Sequence, residues 1–182
     1  MIKMQSVICS GIICITLSSI KVVQAAPAPI FTPVIKNIRK KLPANLAFRL
    51  PSNIPSKITQ AGKVELDLKI EKDNAYLGLK YVGCEKDFPG GRGYSLYCVP
   101  LQFTSATIGS KFYKDLEFYI TSGKKFPLAR GITAYNFQGD GFHVISWVQN
   151  QTFFQTYSAQ ISLNELKSIA RSMANEPPIR RF

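Results

Sequence analysis

Residues 63–71 alternate without a break: Val64, Leu66, Leu68 and Ile70 are apolar, and Lys63, Glu65, Asp67, Lys69 and Glu71 are charged. A period of two places every apolar side chain on one side of an extended chain, so the segment reads as a strand with one wet and one buried face. A strand of this kind needs a neighbour to pair with and a layer to cover its apolar side. Lys72-Asp73-Asn74 reads as a turn, and Tyr76, Leu77, Leu79, Tyr81 and Val82, leading to Cys84, as the hairpin partner.

Strand character continues downstream. Residues 85–93, EKDFPGGRG, form a loop with one proline and three glycines, after which YSLYCVPLQF (94–103) resumes an extended pattern. KFYKDLEFYI (111–120) is compatible with a short helix or an irregular edge strand, and SGKK (122–125) with a turn. Residues 127–137 read as one strand, 138–141 as a turn, 142–148 and 152–157 as two further strands joined by Gln149-Asn150-Gln151. Period two leaves Phe153 and Phe154 on opposite faces, so one is expected to be exposed or to lie under the C-terminal helix.

Helical signals stand at the two ends. Thr32 reads as an N-cap with Pro33 behind it, followed by Val34, Ile35, Ile38 and Leu42 at helical spacing until Pro43 stops the run. Leu46, Phe48 and Leu50 alternate with Ala47 and Arg49, suggesting a short strand between proline turns. Near the C-terminus, Ser162 with Glu165 three residues on is a capping box, and Leu163, Leu166, Ile169, Ala170 and Met173 mark an apolar face that ends at Pro177-Pro178. The expected fold is α+β: a single antiparallel β-sheet of about six strands, an N-terminal and a C-terminal helix packed on it, and one disulfide-closed loop. Residues 26–182 read as one domain, with 26–32 and 177–182 as flexible ends.

The first 25 residues read as a cleaved signal peptide: Lys3 as the positive start, 14 uncharged residues at 7–20, and Val23 with Ala25 at a cleavage site. The expected location is therefore secreted or periplasmic. Cys9 and Cys14 leave with that segment, and Cys84 and Cys98 are expected to pair, as cysteines in an oxidising compartment do. A closed zinc site wants four ligands, and Cys84, Cys98 and His143 supply three, so neither a metal nor a cofactor is expected. Of 23 Lys and Arg, 21 remain after residue 25 against all 11 acidic residues, a net charge of +10. That balance favours an acidic surface, lipid or protein of the cell envelope as partner; export makes nucleic acid an unexpected one.

Gly131 to Ile179 carries a more specific pattern. A strand ending in Trp147 precedes one built around Tyr157, and a helix follows with Glu165, Leu166, Ile169, Ala170, Ser172 and Met173. This run resembles the end of bacterial domains of unknown function of the DUF4367 type, and LPSNIP at 50–55 is similar to the "LPxxLP" that opens them. The resemblance implies a small α+β domain, often extracytoplasmic. It supplies no catalytic residues, and the Cys84/Cys98 loop is not part of its general pattern.

Two sets of candidate site residues follow. Arg92, within Gly90-Gly91-Arg92-Gly93, and the basic group Lys124, Lys125 and Arg130 are candidates for holding an anion. Arg39-Lys40-Lys41, Lys111 with Lys114, and Arg180-Arg181 are the other basic groups. The enzymatic alternative is a small secreted hydrolase using His143, the only histidine, with Asp140 and Ser158 as its neighbours. No G-x-S-x-G elbow accompanies them. The leading expectation is a non-enzymatic extracytoplasmic binding or structural module.

Overall fold

A computed structural model of the chain describes residues 26–84 and 98–181. Residues 1–25, expected to be a signal peptide, and most of the loop between Cys84 and Cys98, Arg92 included, lie outside them. Seven strands form one antiparallel sheet: β1 (Val64–Ile70), β2 (Asn74–Tyr81), β3 (Leu101–Thr107), β4 (Lys124–Ala129), β5 (Ile132–Gly139), β6 (Phe142–Gln149) and β7 (Thr152–Ser158). Their spatial order is β1-β2-β3-β7-β6-β5-β4. Two meanders thus meet at the β3–β7 pair, and the β3–β4 connection carries the chain from the middle of the sheet to its far edge.

The alternation of β1 does what its spacing requires. Leu66 pairs with Leu79, Leu68 with Leu77 and Ile70 with Ala75, all on one face. The same face collects Phe103, Ala134, Ile145, Trp147 and Phe154, all fully or almost fully buried. It is covered by α1 (Thr32–Lys41), the segment 42–62 with the short α2 (Ser56–Gln60), and α5 (Leu163–Asn175).

The second face is also partly covered, which the sequence did not announce. The β3–β4 connection forms α3 (Lys111–Leu116) and α4 (Phe118–Thr121), resolving the helix-or-strand ambiguity in favour of helix. Tyr113 packs edge-on against Phe153, ring centroids 5.5 Å apart, while Phe118 and Tyr119 both pack against Phe137 at 5.3 Å. Phe153 and Phe154 are therefore both buried, on opposite faces under different covers: Phe154 stacks on Trp147 at 5.5 Å. Gly139 is needed here because a Cβ at that position would run into the Phe142 ring lying across it.

Several boundaries differ from the sequence reading. The stretch 127–137 is two strands, split by a two-residue hairpin at Arg130-Gly131, where Gly131 takes a left-handed φ of 73°. So short a turn leaves the alternation on either side looking continuous. Lys124 and Lys125 belong to β4, not to a turn. The strand expected at 46–50 is reduced to one antiparallel bridge, Phe48 with Ile179. Both expected loose ends hold packed residues: Phe31 is fully buried within a 3-10 turn (Pro29–Phe31), and Ile179 is buried at its bridge, while Arg180 and Arg181 after it are exposed. Thr32 opens α1 as its first residue, and its side chain makes no cap bond.

The capping box of α5 is present in both directions. Ser162 Oγ accepts from the Glu165 amide, and Glu165 Oε2 accepts from the Ser162 amide at 2.9 Å and from Lys57 Nζ at 2.7 Å. The Lys57 bond, then those from Ser162, hold the Glu165 carboxyl down at about 2. A depressed folded-state value means this stabilisation is present above the ordinary carboxylate range near 4.5 and is lost as pH falls towards 2. Glu165 is partly exposed, so solvent screening limits the effect. Glu165→Gln should cost roughly 0.5–1 kcal/mol at pH 7, and thermal melts should show the two proteins converging by pH 2.

Candidate anion-binding site

The far edge of the sheet leaves one corner of the helix-covered face open. There the first two turns of α5 stand over the start of β4 and the end of β5. Period two puts Lys124 and Phe126 of β4, and Asn136 and Gln138 of β5, on this face; Lys124 pairs directly with Asn136. Lys167, one helical turn after Leu163, comes down from α5, its Nζ 5.0 Å from the centroid of the Phe126 ring. Together these residues line a cleft of about 630 Å³, with Asp140 at the β5–β6 turn on its rim. Lys125 also lines the rim, while its ammonium reaches 5.9 Å from the Tyr135 ring.

The electrostatics of this corner are one-sided. Two ammonium groups, of Lys124 and Lys167, meet one carboxylate, and neither lysine forms an ion pair with an acidic side chain among the described residues. Asn136 Oδ1 is buried and has no hydrogen-bond partner among the described residues. Phe126 seats the Lys167 head without neutralising it, since a ring quadrupole attracts a cation but carries no net charge.

Only part of the expected basic group assembles. Lys124 and Lys125 are in the cleft, but Arg130 sits at the opposite end of β4, roughly 20 Å along the strand at about 3.3 Å per residue. Arg39-Lys40-Lys41 end α1, which packs on β1 at the other edge of the sheet, roughly 29 Å away at about 4.8 Å per strand. The sequence reading missed Lys167 and Asn136. Lys167 follows Leu163 by four residues, a spacing that put it close to the apolar stripe and was its one legible signal.

His143, Asp140 and Ser158 are placed as follows. His143 lies directly across from Ser158 on β7 and Gln138 on β5. Ser158 is fully buried, and its hydroxyl donates to the Pro100 carbonyl at 2.6 Å and accepts from the amides of Gln160 and Ile161 at 3.0 and 3.2 Å. Its proton is thus committed to Pro100, and its oxygen closes the β7–α5 turn. His143 Nδ1 is buried and, among the described residues, has no hydrogen-bond partner, so no described carboxylate orients the ring through it. Asp140 belongs to the rim of the lysine cleft.

Comparison with protein-family models, curated proteins and solved structures finds no match to this chain. Among the described residues no group of three or more His, Cys, Asp or Glu side chains is arranged to hold a metal ion. No described helix is long and apolar enough to cross a membrane.

Proposed function

We propose that this chain is a non-enzymatic, extracytoplasmic binding module whose ligand is anionic and is held at the β4–β5/α5 cleft. The observation that carries the reading is the convergence of Lys124 and Lys167, from elements far apart in sequence, on one cleft, with no ion pair to an acidic side chain among the described residues. Bringing like charges together costs free energy, and an anionic ligand recovers it. The Cys84–Cys98 disulfide supports an oxidising compartment, and the net charge of +10 for 26–182 favours anionic partners. Calorimetric titration of the purified protein with sodium tripolyphosphate at low salt tests it. The double variant Lys124→Ala/Lys167→Ala should weaken binding about tenfold or more, the equivalent of roughly 1.4 kcal/mol, while Lys40→Ala/Lys41→Ala leaves it unchanged. Equal losses in both double variants would mean a diffuse charge effect and no site.

A further inference from the structure

The cleft holds more than a simple anion requires. Its volume of about 630 Å³ lies in the range of pockets that take small organic molecules, roughly 300–1,000 Å³. Beside the ammonium groups it presents Asn136, Gln138 and the Asp140 carboxylate. A carboxylate only accepts hydrogen bonds, and next to an inorganic anion it is repulsive. Among the described residues the Asn136 side chain makes no hydrogen bond, and its buried oxygen lacks a donor, an arrangement that is unfavourable until a donor arrives. A turn of that amide hands its oxygen to a ligand hydroxyl. Phe126 and Leu163 add apolar wall suited to the C–H edges of a ring.

From this combination we infer that the ligand is an acidic saccharide: a hydroxyl-rich ring whose anionic group sits on Lys124 and Lys167 and whose hydroxyls donate to Asn136 and Asp140. The inference rests on the anion-site reading and adds the chemical class. A carboxylated and a phosphorylated sugar share the required chemistry, and each is one arm of the test. The purified protein is titrated with glucuronate, glucose 6-phosphate, acetate, inorganic phosphate and glucose, followed by calorimetry and by amide shifts of residues 124, 136, 138 and 167. Each acidic sugar should bind about tenfold or more tightly than the anion lacking the sugar, and than neutral glucose. Preference for only one of the two narrows the anionic group to carboxylate or phosphate and supports the inference. Asn136→Ala should cut the sugar preference to within about threefold while leaving inorganic phosphate unaffected. If Asn136→Ala perturbs the strand, Asp140→Ala, in an exposed turn, should likewise cut the sugar preference to within about threefold, with inorganic phosphate binding no more weakly than before. Equal affinity for glucose 6-phosphate and inorganic phosphate overturns the saccharide and leaves the anion site standing. Absence of binding by every anion, tripolyphosphate included, removes both.

Discussion

Arg49→Leu should lower the stability of this domain by about 3–5 kcal/mol, the range found when one member of a buried charged network is removed. In a domain of this size that corresponds to a fall in Tm of roughly 10–15 °C. Arg49 is only 4% exposed, and its guanidinium serves the C-terminus of α5. Nη1 donates to the carbonyls of Met173 and Ala174 at 3.1 and 3.2 Å, and also to that of Glu176. Helix C-termini leave their last carbonyls unbonded, and here they face protein, so the arginine is their solvent. Gln149 Nε2 adds a bond to Ala174 O at 3.2 Å, while its own Oε1 accepts from Trp147 Nε1 at 3.3 Å. The guanidinium also lies over the Phe154 ring at 5.5 Å. Burial pushes it below its ordinary pKa, Arg180 adds to that, and Glu176 opposes it. Leucine fills the volume but leaves the carbonyls bare and removes a positive charge that attracts the buried Glu176 side chain. Arg49→Lys should recover less than half of the loss, because an ammonium is more strongly hydrated than a guanidinium and lacks the flat group that lies over Phe154. The double variant Arg49→Leu/Glu176→Gln should lose less than the two single losses combined, since the second change removes the charge stranded by the first. Denaturant unfolding of the wild type, the three single variants and the double variant checks this; an Arg49→Leu loss below about 1 kcal/mol would mean that water already solvates the end of α5.

The same residue shows where the sequence stops being legible. In Leu46-Ala47-Phe48-Arg49-Leu50 the alternation assigns Arg49 to solvent, yet its partners lie 124 to 127 residues away. Signals confined to a few neighbours read well: the period of β1, the hairpin at Asn150-Gln151 with φ of 50° and 61°, and the Ser162/Glu165 box. Signals that depend on what covers a face read poorly. β6 and β7 are apolar on both sides because α5 covers one face and α3–α4 the other, so period two no longer sorts core from surface there. The candidate site follows the same rule. Lys124 was visible as charge, but its convergence with Lys167 is a product of the crossover to the far sheet edge and the approach of α5. No local pattern encodes that meeting.

Removing the disulfide, by Cys84→Ser with Cys98→Ala, should cost about 3 kcal/mol, as loop-closure entropy predicts for a closed loop of 15 residues. Cys84 follows β2 and Cys98 precedes β3, with their Cα atoms 5.4 Å apart. The strands they join are already held by the register from Asn74–Ala106 to Leu79–Leu101, and Tyr81 N donates to Cys98 O at 2.9 Å just beyond it. The native sheet therefore keeps its pairing when the covalent link is cut, and the loss falls on the unfolded chain, which gains freedom. Kinetics separate these accounts. If the link acts on the unfolded ensemble and the β2–β3 pair forms early, folding slows by roughly two orders of magnitude while unfolding hardly changes. If it acts by bracing the native sheet, unfolding accelerates instead. The first outcome is expected, because serine at half-exposed position 84 and alanine at buried position 98 leave no unpaired polar group in the core. Reduction of the wild-type protein should reproduce the variant to within about 1 kcal/mol. A Tm unmoved by reductant, with both thiols shown free by alkylation, would instead mean that the β2–β3 register alone holds this end of the sheet.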